Sequence, residues 1–266
     1  MKPTNILRWS GSKAKLVPEL LRLRPAVFER YVEPFAGSAQ LFFALAPREA
    51  ILGDLNPHVV AVYRAIGQDP HGVADALESI PLTADGYYSL RAVEPMNLSL
   101  VQRAARLIFL MKACFNGVYR TNRFGAFNVP MGNRIYALPT RADLVAAQRV
   151  LAAVQLVDGS FELTLSKTRR HDWIYMDPPY LHPGRYRGEY GYSAKFVPES
   201  LSSMLDHARA LAESGRQVML SYPDDGRLVG ELPGWSVHRV RTLRTVASAA
   251  GARREIYELV MTSYQS

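Results

Sequence analysis

Short apolar runs recur along the chain, each closing on a polar or glycine-bearing turn. Tyr31-Val32 leads into Glu33-Pro34-Phe35-Ala36-Gly37, and Ala50 to Leu52 leads into Gly53-Asp54. Trp173 to Met176 leads into Asp177-Pro178-Pro179, and Gln217 to Leu220 into Ser221-Tyr222-Pro223. Short apolar runs bounded by turn residues predict strands buried on both faces. Helical periodicity fills several of the intervals. Leu201, Met204, Leu205, Ala208 and Leu211 trace one face of a helix over Leu201 to Ala212. Such alternation predicts an α/β fold, an open and largely parallel sheet with helices on both faces. Ligands of such sheets bind outside the carboxyl ends of the strands, which is where the polar turns fall.

Two stretches depart from this rhythm. Ser236 to Arg244 and Glu255 to Thr262 read as strands, and the link between them is too short for a crossover helix. They predict a closing antiparallel hairpin. From about His58 to Thr140 the strand–helix alternation stops. A helix is predicted over Gln102 to Phe115, with Ala105, Ile108, Phe109, Lys112 and Phe115 along one side. The segment Asn116 to Pro130 then mixes arginine, aromatic and amide side chains. Residues 58–140 therefore read as a mainly helical insertion ending in an ordered functional loop. Residues 1–57 and 141–266 read as the sheet-bearing domain.

Composition narrows the classes. A chain of 266 residues can bury one substantial core plus a smaller lobe. No run of about 18 apolar residues occurs, which argues against a membrane span. The start MKPTNILRWSGSK lacks an apolar signal region, so a cytoplasmic protein is expected. Cys114 is the single cysteine, which excludes an internal disulfide and fits a reducing compartment. The six histidines are scattered, so no metal site is expected. Lysine plus arginine exceed aspartate plus glutamate by 32 to 24, a net charge of +8. The excess is concentrated. Met96 to Thr140 and Leu232 to Arg254 contain no acidic residue at all, yet both carry several arginines. Long stretches of one sign make a field that attracts a polyanion.

Asp177-Pro178-Pro179-Tyr180 carries the sharpest chemistry. The amino nitrogen of a nucleobase is a poor nucleophile because its lone pair is delocalised into the ring. Alkylating it needs acceptors that hold the amino hydrogens. Asp177 offers a carboxylate, Pro178 a carbonyl stiffened by the two prolines, and Tyr180 a flat face for an extruded base. A rigid turn closing a strand is the competing reading. Glu33 to Ala39 offers small residues after a strand, where a ligand can approach the backbone closely. Its spacing does not fit G-x-G-x-x-G, so a nicotinamide or flavin site is not supported. Asp54 and Asn56, after the next strand, either hold a ribose or cap the helix that starts near Pro57.

Together these motifs resemble the DNA adenine methylase family of the α arrangement, the D12 class. Trp9-Ser10-Gly11-Ser12-Lys13 resembles its N-terminal W-x-G-G-K, and Glu33 to Ala39 its E-P-F-x-G-x-G. Asn116-Gly117 with Asn122 to Pro130 resembles its insertion motif, and the tetrapeptide at 177–180 follows in the family's order. The resemblance implies a Rossmann-like methyltransferase sheet with a helical target-recognition insertion. It implies S-adenosylmethionine as cofactor and double-stranded DNA as partner. The product would be N6-methyladenine, formed by base flipping, with Asp177, Pro178, Pro179 and Tyr180 holding the target base. The resemblance places Trp9, Lys13, Glu33, Pro34, Phe35, Ala36, Gly37, Ser38, Asp54, Asn56, Ser160, Phe161 and Asp177 around the donor. It places Arg8, Arg120, Asn122, Arg123 and Asn128 against DNA. The loop Leu181 to Lys195, which carries Arg185 and Arg187 among tyrosines, is itself expected to close over the phosphates and the extruded base, a solvated surface loop being the competing reading. For Arg120 and Arg123, phosphate contact and base readout are both open.

Three positions depart from the family pattern. Ser12 and Ala39 replace glycines, and Ser160 stands where an aspartate would bond the donor's adenine, with Asp158 nearby as a substitute. A monomer, and a cognate restriction endonuclease, are family-level expectations. The rival activities are transfer to cytosine N4, transfer to RNA or a protein amide, and DNA binding without catalysis.

Overall fold

The computed structural model describes residues 6–181, 196–228, 230–245 and 253–265. Seven strands form one sheet: β1 (Arg30–Glu33), β2 (Ala50–Asp54), β3 (Val154–Asp158), β4 (Asp172–Met176), β5 (Gln217–Pro223), β6 (Ser236–Thr245) and β7 (Arg253–Thr262). Their order is β3-β2-β1-β4-β5-β7-β6. The first five are parallel, with Tyr31 opposite both Ala50 and Trp173. β7 runs antiparallel to both β5 and β6, which makes the closing hairpin expected from the short link between its strands. The chain leaves β1 toward β2 and β3, then returns to the other side of β1 with β4 and β5. That reversal opens a crevice beyond the carboxyl ends of β1 and β4, where open α/β sheets bind their ligands.

Every residue of β1, β2 and β4 is buried. Alternate residues feed two cores, as the two-residue period of a strand requires. Tyr31, Leu52, Trp173, Tyr175 and Met219 join one core, and Val32, Ile51, Ile174, Met176 and Val218 the other. The second core is closed by α8 (Phe161–Leu165) and α9 (Pro198–Glu213), whose apolar face is the one read from the sequence. β3 was not foreseen as a strand. It lies at the sheet edge with Gln155 and Asp158 exposed, so it shows no continuous apolar run.

The remaining helices are α1 (Val17–Arg22), α2 (Gln40–Leu45), α3 (Pro57–Gln68), α4 (Pro70–Glu78), α5 (Ala84–Ala92), α6 (Leu100–Ala113) and α7 (Arg141–Leu151). Their starts follow local capping chemistry. Asn56, Asp69 and Thr83 each accept a backbone N–H of the helix that follows, and Ser99 with Gln102 forms a reciprocal capping box on α6. α6 begins two residues before the predicted Gln102 and ends at Ala113, where Cys114 turns extended. Its residues 104–113 are all buried, and they share one core with the sheet face that carries Tyr31 and Trp173. Arg106 survives that burial because its guanidinium donates to the carbonyls of Leu90 and Arg91, at the end of α5. Among the described residues no helix is long and apolar enough to cross a membrane.

Candidate active site and candidate nucleic-acid interface

The loop after β1 is held by the acid at the end of β2. Asp54 accepts the Gly37 N–H through one carboxylate oxygen and the Asn56 N–H through the other, both at 2.8 Å. The cap of α3 is Asn56, which accepts from His58 N at 3.0 Å. The capping reading of Asp54 therefore fails, because its carboxylate straps two loops together instead. Burial pushes its pKa up to about 6, against the pull of the two N–H donors. Gly37 has φ +46°, and a side chain there would meet the Trp9 ring at 3.0 Å. Glycine is required at that point by both its conformation and its neighbour.

The walls of this crevice are aromatic. Phe35 lies 5.4 Å from Phe161, ring centre to ring centre, and Phe161 meets His207 edge-on. Asp158 is the register partner of Asp54 and is exposed at the rim with Ser160. Pro34, Ala36 and Ser38 are buried, with the Ser38 hydroxyl donating to that of Ser12. Glu33 is buried under a hydrogen bond from the Tyr31 hydroxyl at 2.9 Å. Desolvation, reinforced by Asp177 and Asp54 nearby, lifts its carboxyl well above the usual range.

β4 delivers Asp177-Pro178-Pro179-Tyr180 beside this loop. Asp177 Oδ1 accepts from Lys13 Nζ at 2.6 Å and from Ser221 Oγ at 3.1 Å. Ser221 in turn sits 2.9 Å from the buried Tyr175 hydroxyl. Tyr180 receives a hydrogen bond from Lys13, donates to Glu258 Oε2 at 3.2 Å, and packs edge-on against Tyr222. Burial raises the Asp177 pKa, Lys13 opposes that, and Glu258 adds to it. Lys13, expected beside the donor, has its ammonium on Asp177 and on the Tyr180 hydroxyl. Glu258 was missed. It is 4% exposed on β7, and the only signal was a lone acid within the apolar run Tyr257 to Met261.

Arg120 and Arg123 lie on a two-armed loop after α6. Isolated bridges join Thr121 to Phe127 and Cys114 to Met131. Asn122 builds the turn, its side-chain oxygen accepting from Phe124 N and Ala126 N, and Gly125 takes φ +81°. Arg120 donates to Asn128 Oδ1 at 2.8 Å, bracing the two arms. At the tip Arg123 and Phe124 point outward, with Phe124 78% exposed and the guanidinium over its ring. The base packs inward, Tyr119 lying 5.5 Å from both Trp9 and Phe127. Arg8 donates to the Cys114 carbonyl, and its guanidinium lies 4.0 Å above the Tyr136 ring, over which Arg134 also lies. Tyr136 and Arg134 were missed as partners of Arg8. Arg185 and Arg187, with the rest of 182–195, lie outside the described residues.

A site of this order has known counterparts. Residues 9–246 match the D12 class N6 adenine-specific DNA methyltransferases. The chain belongs to that family. The methyltransferase is 28% identical to the type II methyltransferase M1.LlaDCHI of Lactococcus lactis, over 97% of its own length and 94% of the relative's. It is 27% identical to the type II methyltransferase M.MjaIII of Methanocaldococcus jannaschii, over 99% and 100% of the two chains. It is 26% identical to the retron Ec67 DNA adenine methylase of Escherichia coli, over 98% and 91%. The family fixes the reaction class as adenine-specific methylation of DNA, which requires a methyl donor. The seven-stranded, mostly parallel sheet agrees with that assignment.

Proposed function

We propose that the enzyme takes its methyl group from S-adenosylmethionine and places it on N6 of an adenine flipped out of double-stranded DNA. The observation that carries this reading is the position of Asp177, at the reversal of strand order and beside the loop that Asp54 straps.

The residues fit a cationic donor. Although the chain is basic, Glu33, Asp54, Asp158, Asp177 and Glu258 gather around the crevice against Lys13. Phe35 and Phe161 supply apolar walls, and Asp54 and Asp158 supply acceptors. When bound there, S-adenosylmethionine supplies an electrophilic methyl group on a positively charged sulfur.

The chain's own groups do the rest by position. The Asp177 carboxylate accepts an amino hydrogen and stabilises positive charge developing on nitrogen. The Pro178 carbonyl accepts a second hydrogen, and the Tyr180 ring offers a stacking face. The proton shed by the methylated nitrogen leaves to an acceptor such as Asp177 or water. Residues 58–140 are assigned to target recognition, because their acid-free part, Met96 to Thr140, carries the Arg120–Arg123 tip. Residues 1–57 and 141–266 are assigned to catalysis. The test is a nucleoside digest of duplex DNA incubated with enzyme and labelled S-adenosylmethionine. Label in N6-methyladenine is expected, whereas label in N4-methylcytosine, or none, overturns the reading.

A further inference from the structure

Lys13 presents a difficulty for the reaction. Its ammonium lies 2.6 Å from Asp177 Oδ1, so it shares, and partly neutralises, the carboxylate that the target amino group needs. Left there, it would neutralise the Asp177 carboxylate and oppose the positive charge that develops on the target nitrogen. Lys13 is 7% exposed, so water cannot simply take over its hydrogen bonds. The same ammonium lies 3.7 Å from Glu258 Oε2, a carboxylate 5% exposed on β7. A shift of about 1 Å brings that pair to the length of a charge-assisted hydrogen bond. The Tyr180 hydroxyl already links the two, accepting from Lys13 and donating to Glu258. Glu258 thus already attracts the same ammonium that Asp177 holds.

We infer that Glu258 is a positioning residue. It draws the Lys13 ammonium off Asp177 when the target amino group arrives. This rests on the proposed transfer to adenine but adds a step to it. In the free enzyme Lys13 keeps Asp177 charged and fixed. With the base in place, the ammonium moves to Glu258, and Asp177 meets the amino hydrogens with its full negative charge.

The test measures steady-state methylation of an adenine-containing duplex by the full chain, for wild type, Glu258→Gln, Lys13→Met and the double variant. Glu258→Gln should lower kcat at least tenfold, because Lys13 stays clamped on Asp177. KM for DNA should change less than threefold. Adding Lys13→Met to Glu258→Gln should recover at least threefold in kcat, since the clamp is gone. A merely structural glutamate predicts no such recovery. Near-normal kcat in Glu258→Gln, or a double variant no faster than it, overturns the inference. If Glu258→Gln does not fold, Glu258→Asp keeps the charge but draws it back by one methylene. It should show the same loss of kcat in part and the same recovery with Lys13→Met, and absence of either overturns the inference. Wild-type enzyme that fails to methylate adenine would instead bring down the proposed function, so the two failures are told apart.

Discussion

The strand-end crevice and the hairpin after α6 hold charge in opposite ways. In the crevice Lys13, Glu33, Asp54, Asp177 and Glu258 are largely buried, and their hydrogen bonds and ion pairs tie the strand ends and loops of the site to one another. Removing one leaves its neighbours unpaired in a dry place. At the hairpin, Asn122, Arg123 and Phe124 are exposed, and the local hydrogen bonds serve the turn itself. Charges there are screened by salt and act on a partner from outside. The difference predicts that the crevice governs turnover and donor affinity, while the hairpin governs DNA affinity.

The largest effect that would sharpen this contrast is at Asp177. Asp177→Ala should lower kcat by about 10³-fold while DNA affinity, measured by fluorescence anisotropy, stays within a few-fold of wild type. Near-normal turnover would break the division. Next comes pH. Burial pushes the Asp54 carboxyl up to about 6, above its ordinary 3.8. The stabilisation linked to its protonation is therefore complete below about pH 4 and is lost as pH rises through about 6. Donor binding runs the other way, because ribose hydroxyls need the ionised carboxylate as acceptor. Donor affinity, measured by calorimetry, should rise about tenfold from pH 5 to pH 7. In Asp54→Asn it should be nearly flat.

Effects at the hairpin should be smaller and of another kind. Arg123→Ala should weaken DNA binding about fivefold, leave kcat at saturating DNA unchanged, and lower the salt dependence by about one counterion if Arg123 meets phosphate. An unchanged salt slope with altered sequence preference would assign it to base readout instead. The smallest effect is at Ser160, which is exposed at the first position before α8. Ser160→Asp should tighten donor binding about threefold by adding one hydrogen bond. No gain would indicate that Asp158 already fills that role.

Much of this was legible in the sequence because it depends on neighbours in the chain. The apolar runs at Trp173 to Met176 and Gln217 to Leu220 gave β4 and β5, and the short link after β6 gave the antiparallel pair. The tetrapeptide at 177–180 stood out because its chemistry is contiguous. What escaped depends on distant contacts. β3 alternates with polar residues because it is an edge strand, and the place of Lys13 depends on a partner 164 positions away. Glu258 looked like one acid in an apolar strand until β7 was brought alongside β5.

Trp9 touches both halves of this comparison, resting near Gly37 on one side and stacking on Tyr119 on the other. The footing of the hairpin is therefore shared with the loop after β1, whereas residues 122–126 at its tip belong to the hairpin alone. On the proposed reading, the tip can be rewritten to change which DNA is read without disturbing the chemistry. A change at 119 or 127 would then alter two functions at once.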